Sequence, residues 1–227
     1  MKVLVIDIGG TNVKMLAAGK ETPRKFPSGP KLTPQQMVDG VLLSTKDWDY
    51  EAVSIGFPGP VICGRPITEP TNLGPGWMEF DFEAAFRLPV RLINDAAMQA
   101  LGSYDGGKML FIGLGTGVGA AVIVDGNIQA LEIGRYRYRK STLESYLGNR
   151  GLKRRGLKKW RRHVDFILKK LIAALKPSDI VIGGGNAKKL AHLPPGARAG
   201  NNANAFLGGF RLWQGEIGHG EAIAQRK

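Results

Sequence analysis

Asp7-Ile8-Gly9-Gly10-Thr11-Asn12 and Gly113-Leu114-Gly115-Thr116-Gly117-Val118-Gly119 are two glycine-rich turns about a hundred residues apart, each preceded by an apolar run with strand character. Glycine tolerates positive φ and lets backbone N–H groups approach an anion, and a threonine hydroxyl adds a donor, so each turn can cradle a phosphate. Each also reads as the loop of an ordinary β-hairpin: Val3 to Ile8, Gly-Gly, then Val13 to Ala17. The pairing of two such turns, with Asp7 at a strand end, favours a phosphate clamp.

Working outward, Val3 to Asp7, Val13 to Ala18 and Lys25-Phe26 form a strand meander, followed by a helix from Gln35 to Ser44 that Thr33-Pro34 caps. Ala52 to Gly56 is a buried strand ending in Phe57-Pro58-Gly59-Pro60, a loop forced by two prolines and a glycine. A short strand, Val90 to Ile93, delivers Asn94-Asp95 to a helix over Ala96 to Ser103. Strands at Met109 to Ile112 and Ala120 to Val124 flank the second glycine turn, and Asp125-Gly126 turns into a third strand, Asn127 to Leu131. The second half thus repeats the opening meander. Gly156 to Leu175 is an amphipathic helix with Trp160, Val164, Ile167, Leu168, Leu171 and Leu175 on its apolar face, stopped by Pro177. Ile180 to Ile182 leads into Gly183-Gly184-Gly185-Asn186 and a helix from Ala187 to Leu190, and Asn204 to Trp213 reads as a closing helix.

The 227 residues suffice for one large domain or two lobes sharing a cleft. A single cysteine, Cys63, excludes an intramolecular disulfide and a zinc site of several thiolates, and is expected to be a packed thiol. No basic-then-apolar leader opens the chain and no apolar run approaches the ~20 residues of a membrane span, so a cytoplasmic location with no membrane partner is expected. Lys and Arg number 32 against 19 Asp and Glu, a formal charge of +13, and twelve basic residues with one acid, Glu144, lie between Arg135 and Arg162. Such a segment reads as a site for a polyanion, nucleic acid included, or as a solvated helix face.

Phosphoryl transfer needs a metal anchor, donors for the phosphates and a base beside the acceptor hydroxyl. Asp7 can hold Mg2+, since a hard cation takes carboxylate oxygen, or it is a buried capping residue. Asp95, at a strand end beside Asn94, suits proton abstraction from a hydroxyl; the competing role is capping the helix that follows. Glu132 and Asn72 supply further polar groups of the kind a sugar requires, or are surface residues.

The ordered set Asp7 to Lys14, Gly56-Phe57-Pro58-Gly59-Pro60, Asn94-Asp95-Ala96, Gly113 to Gly119, Glu132-Ile133-Gly134 and Ile182 to Gly185 resembles the ROK sugar kinases, over nearly the whole chain. Within them the chain looks most like polyphosphate glucokinases, which lack the zinc-binding cysteine motif and carry a basic stretch similar to Lys158-Lys159-Trp160-Arg161-Arg162. The resemblance implies an α/β, two-lobed actin-like ATPase (ribonuclease H-like) fold with a central cleft. The small lobe would comprise residues 1–94, joined by the C-terminal helix 204–227, and the large lobe residues 95–203.

The resemblance further implies transfer from ATP and/or inorganic polyphosphate to a glucose-like hexose, giving hexose 6-phosphate, with Mg2+, without zinc, and in a possible homodimer. Asp95 becomes the catalytic base. Gly59, Asn72, Asn94, Asp95, Glu132, Arg135 and Glu144 become acceptor-binding residues. Asp7, Gly9, Gly10, Thr11, Asn12, Lys14, Gly115, Thr116, Gly117, Gly184 and Gly185 face the donor, with Asp7 the metal ligand. One departure stands out: where the family has Glu-x-Gly-His, this chain has Glu132-Ile133-Gly134-Arg135, which bears on hexose selectivity. The second reading is a non-catalytic sugar-sensing or nucleic-acid-binding member. The family's repressors carry a DNA-binding domain ahead of the first glycine turn, which here starts within ten residues of Met1, so a nucleic-acid partner is not expected.

Overall fold

The computed structural model describes residues 1–214. Two five-stranded sheets share one topology. The first is built from β1 (Val3–Ile8), β2 (Asn12–Ala17), β3 (Arg24–Pro27), β4 (Ala52–Phe57) and β7 (Val90–Asn94), in the order β3-β2-β1-β4-β7. Between these lie α1 (Pro34–Ser44), a small hairpin of β5 (Val61–Ile62) and β6 (Arg65–Pro66), and α2 (Phe82–Phe86). After α3 (Asp95–Ser103) come β8 (Lys108–Leu114), β9 (Val118–Val124) and β10 (Asn127–Ala130), a second hairpin of β11 (Arg137–Tyr138) and β12 (Ser141–Thr142), α4 (Leu143–Leu147) and α5 (Asn149–Leu175). The chain ends with β13 (Asp179–Gly183), β14 (Ala197–Ala199) and α6 (Asn204–Arg211), the second sheet running β10-β9-β8-β13-β14. In both sheets an antiparallel three-strand meander is extended by two parallel strands.

The apolar patterns account for the layering. All six residues of β1 and of β4 are buried, as befits interior strands covered on both faces. Met37, Val38 and Val41 of α1 pack on one face of the first sheet with Trp77, Phe82 and Phe86, and Thr33 and Gln36 close a reciprocal capping box at the start of that helix. On the second sheet, Trp160, Val164 and Leu168 of α5 cover Leu110, Ile112, Ile180 and Ile182. Between the sheets sit α3 and α6: Ala96, Ala97, Ala100 and Leu101 pack on Met109, Phe111, Ala121 and Ile123 of the second sheet, and Met98, Ala205 and Phe206 on Val3, Val5 and Ala52 of the first. The stack is helix, sheet, paired helices, sheet, helix.

Four local readings need correction. Helix α5 begins at Asn149, not Gly156; Gly156 is where it breaks, with φ 76° and ψ 160°, the left-handed region a glycine tolerates. The helix expected after the third glycine turn, Ala187 to Leu190, is a single 3-10 turn, Ala187–Lys189, ended where Leu190 takes extended backbone with φ −66° and ψ 144°. Cys63 is exposed at the tip of the β5–β6 hairpin, with a positive φ of 48°, rather than packed. The closing helix ends at Arg211, and residues 215–227 of its expected extent lie outside the described residues. No helix among the described residues is long and apolar enough to cross a membrane.

Candidate active site

A cleft of about 270 Å³ opens between the two sheets. Gly9, Gly10, Gly59 and Asn72 line it from the first half of the chain, Asn94 and Asp95 from the junction, and Gly115, Thr116, Gly117, Glu132, Arg135, Glu144 and Gly184 from the second half. Asp7, Thr11, Asn12, Lys14 and Gly185 are not on its wall. Asp7 is buried in β1, opposite Lys14 in the β1–β2 register, with Lys14 Nζ 3.4 Å from Asp7 Oδ2. Burial raises the Asp7 carboxyl, and the Lys14 charge opposes that shift.

Each glycine turn closes a hairpin and also lines the cleft. The first closes the β1–β2 hairpin, with the Gly9 amide donating to Asn12 O at 3.0 Å, and still presents Gly9 and Gly10 to the cleft. Ser28 anchors it from β3's end, its hydroxyl donating to Gly9 O at 2.5 Å. A Cβ on Gly10 would meet the Asn72 side chain at 3.5 Å, so loop and turn are in contact. The second turn closes β8–β9 with the Gly115 amide on Gly117 O at 3.1 Å. A Cβ on Gly117 would come within 3.0 Å of Glu144 Oε1, so that carboxylate lies directly on the turn.

The helix cap is Asn94, not Asp95. Asn94 Oδ1 accepts from the Ala97 amide at 3.0 Å, and Asn94 Nδ2 donates to Gly59 O at 3.0 Å, tying the proline-glycine loop to the start of α3. With the capping role taken, Asp95 keeps only a 2.7 Å bond from the Ala96 amide to its Oδ1 and faces the cleft. Burial first, then the Asp7 charge, push the Asp95 carboxyl up to about 7, with Glu132 adding a smaller repulsion and the Ala96 amide opposing it. A carboxyl poised there exchanges its proton near neutral pH, the property a base acting on a hydroxyl requires. Glu132 is raised by desolvation, Arg135 partly offsetting this and Glu144 adding to it.

Arg135 bridges the cleft: its Nη2 donates to Thr68 Oγ1 at 3.2 Å, joining the second half of the chain to the first. Thr68, Glu69, Thr71 and Gln99 also line the cleft and escaped the sequence reading. Glu69 orders its loop by accepting from the Trp77 amide at 3.2 Å. None of these lies in a motif, and only the tertiary fold brings them to the wall. Asn186, beside the third glycine turn, is buried and was read only as part of that turn.

A family model described as the ROK family matches residues 3–135. The chain belongs to the ROK family. A glucokinase of Halalkalibacterium halodurans is 33% identical over 147 residues, covering 54% of this chain and 44% of that protein. An N-acetylmannosamine kinase of Escherichia coli is 32% identical over 145 residues, covering 57% of this chain and 50% of that protein. This ROK chain spans about half the length of the curated relatives it matches. Among solved structures, the inorganic polyphosphate/ATP-glucomannokinase of Arthrobacter sp. strain KM superposes with a TM-score of 0.81 at 22% identity, covering 93% of this chain and 97% of that one. The fold is therefore the two-lobed actin-like ATPase fold of ROK proteins, with the cleft between its lobes.

Proposed function

We propose that this ROK protein is a sugar kinase that transfers a phosphoryl group to a hydroxyl of a glucose-like hexose, giving the hexose 6-phosphate. The observation that carries this reading is a single cleft in which two glycine turns face Asp95 and the carboxylates Glu132 and Glu144. Residues 1–94 with helix α6 form one lobe in this proposal, and residues 95–203 the other. The turns at Gly9–Gly10 and Gly115–Gly117, with Gly184 beside them, hold the donor phosphates, while Asn72, Glu132, Arg135 and Glu144 hold the sugar. Asn94 fixes Gly59 and the start of α3, and its second Nδ2 hydrogen, with no partner among the described residues, stays available to the sugar in the cleft it lines. Asp95 takes the proton of the attacking hydroxyl.

Mg2+ would enter with the donor, since it keeps several waters and is commonly bound by one or two carboxylates plus substrate phosphates, and Asp7, buried behind the cleft wall, would reach it through water. Asp7 would hold it, and it would neutralise charge on the phosphates. Thr11 and Gly185 are exposed on the two turns outside the cleft wall, and Lys14 positions Asp7.

ATP and polyphosphate are both candidate donors. The relative with the polyphosphate/ATP name supports neither over the other for this chain, but the charge distribution favours a long polyanion. The basic face starts at Arg150, next to the residue whose amide is bonded to the second glycine turn, and continues through exposed Lys153, Arg154, Lys158, Lys159 and Arg162. Trp160 within that stretch is a core residue, fully buried with its indole N–H on Leu147 O at 2.7 Å. The deciding experiment supplies magnesium with glucose, mannose or N-acetylmannosamine, adds ATP or polyphosphate separately, and identifies the sugar phosphate formed. Polyphosphate affinity is expected to fall steeply with ionic strength, as screening of exposed charges requires. Sugar binding with no product from any donor would instead favour a sugar sensor, the reading Arg135 supports.

Two expectations follow from the acceptor side. Because the base must be ionised, kcat/KM for the sugar rises with pH along a limb centred near 7, the level to which the Asp95 carboxyl is pushed. A rate flat between pH 6 and 8 would contradict that assignment. Arg135→His, which removes a cation and its bond to Thr68, is expected to lower the KM for glucose several-fold; an unchanged preference across a panel of hexoses means Arg135 does not touch the acceptor.

A further inference from the structure

Three carbonyl groups of the second glycine turn, those of Leu114, Gly115 and Thr116, are held by Asn149 and Asn186. Asn186 Nδ2 donates to Gly115 O at 3.0 Å and to Asn149 Oδ1 at 2.9 Å. The Asn149 amide donates to Gly115 O at 3.1 Å and to Thr116 O at 3.0 Å, and the Asn186 amide to Leu114 O at 2.8 Å. In a trans peptide the C=O of one residue and the N–H of the next point in opposite directions. Tying back Gly115 O and Thr116 O therefore turns the amides of Thr116 and Gly117 the other way, and both residues line the cleft. Neither amide donates a hydrogen bond within the described residues. Two successive free amides form an anion-binding concavity.

We propose that Asn186 and Asn149 are positioning residues for the phosphoryl donor: they lock the Gly115–Gly117 turn so that the Thr116 and Gly117 amides face its phosphates. This rests on the kinase reading above. Asn186 suits the task because it is 4% exposed and both amide hydrogens are engaged, so neither the rotamer nor the turn is free to move. It lies at the start of the short 3-10 turn, and Gly184 just before it has φ 84° and would drive a Cβ into the backbone of Leu114. The third glycine turn thus serves in part as the backing of the second, delivering Asn186 to it from β13.

The test compares wild type with Asn186→Asp, which keeps the shape but replaces both donated hydrogens with an acceptor, and with Asn149→Ala, which removes the acceptor holding Asn186. Both variants are expected to raise the KM for the donor by about tenfold to a hundredfold, the scale on which small misplacements of binding groups act. The KM for the sugar should stay within about twofold of wild type, since Asp95, Glu132 and Glu144 are untouched. Calorimetric binding of inorganic tripolyphosphate, with no sugar present, should weaken in parallel. A folded Asn186→Asp protein with wild-type donor KM and tripolyphosphate affinity overturns the inference, as does an equal rise in both KM values. Wild-type protein that phosphorylates no sugar from any donor overturns the kinase reading itself, a result distinguishable because it needs no variant.

Discussion

Asp95→Asn is expected to lower turnover by roughly three to four orders of magnitude, towards the upper end of what a positioned base contributes, while leaving the fold intact. The side chain makes one hydrogen bond, from its neighbour's amide, and caps nothing, because Asn94 already caps α3. An asparagine keeps that bond and loses only the proton acceptor. The stability of the variant has a sign that can be worked out. The carboxyl is pushed up to about 7 in the folded protein from its ordinary 3.8, so the native state binds the proton more tightly than the unfolded chain does. Wild-type stability from this group is intact below about pH 4 and declines as pH rises through 7, where an ionised carboxylate must be kept in the cleft beside Asp7. Asp95→Asn is therefore expected to be as stable as wild type in acid and more stable at pH 8, read as a Tm difference that widens between the two. A variant with near-normal turnover removes Asp95 as the base. A Tm gain independent of pH means that its carboxyl is not perturbed.

Gly102→Leu and Gly208→Leu are expected to cost about 3 kcal/mol or more each and to take activity with them. A Cβ at Gly102 would collide with the Asn204 carbonyl and the Gly208 nitrogen, and one at Gly208 with Met98 O and the Gly102 nitrogen. The obstacle at both positions is main chain, which has no rotamer to yield, so α3 and α6 must separate. The crossing is reinforced on all sides: Arg211 Nη1 donates to Leu101 O and Tyr104 O at 2.8 Å, Asn204 Nδ2 to Ser103 Oγ at 2.9 Å, and Ser54 Oγ to Gly209 O at 2.6 Å. Even Gly208→Ala should destabilise, although alanine is better in an isolated helix by about 1 kcal/mol. Leu207→Ala, one residue away and 49% exposed, is the control and should shift the urea midpoint very little. Wild-type stability in Gly208→Ala would show that the two helices are not packed backbone to backbone. Activity is lost because α3 carries Asp95 at its first turn.

The strands were legible because each is an apolar run closed by punctuation: Asp125-Gly126, both at positive φ, makes the β9–β10 turn where it was read. The repeated meander was legible for the same reason, and it carries most of the topology. What escaped was decided by contacts distant in the chain. Gly156 looked like a helix start because the apolar face begins after it, yet the chain is already helical before it, pinned by the Asn149 amide to Gly115 and Thr116. Arg155 likewise leaves the solvated face to stack its guanidinium 3.5 Å from the Tyr146 ring and donate to Ser145 O. In the site, glycine turns and the strand-end Asp95 carry local signals, whereas Thr68, Glu69, Gln99 and Asn186 carry none. Asp95 as cap against Asn94 as cap differ by one residue in sequence, and the rotamers alone separate them.

The contact between Glu144 and Gly117 has a mechanical meaning. Glu144 rides on α4, a Cβ at the Gly148 that follows would meet Thr116 O, and the next residue's amide is bonded to the same turn. In the proposed kinase the acceptor-side carboxylate of Glu144 and the donor-side amides of Thr116 and Gly117 thus belong to one short, mutually bonded stretch of chain, bounded at its far end by the break at Gly156. The distance between the seats of the two reactants is therefore set by main chain, while the direction of the donor-facing amides is left to side chains such as Asn186.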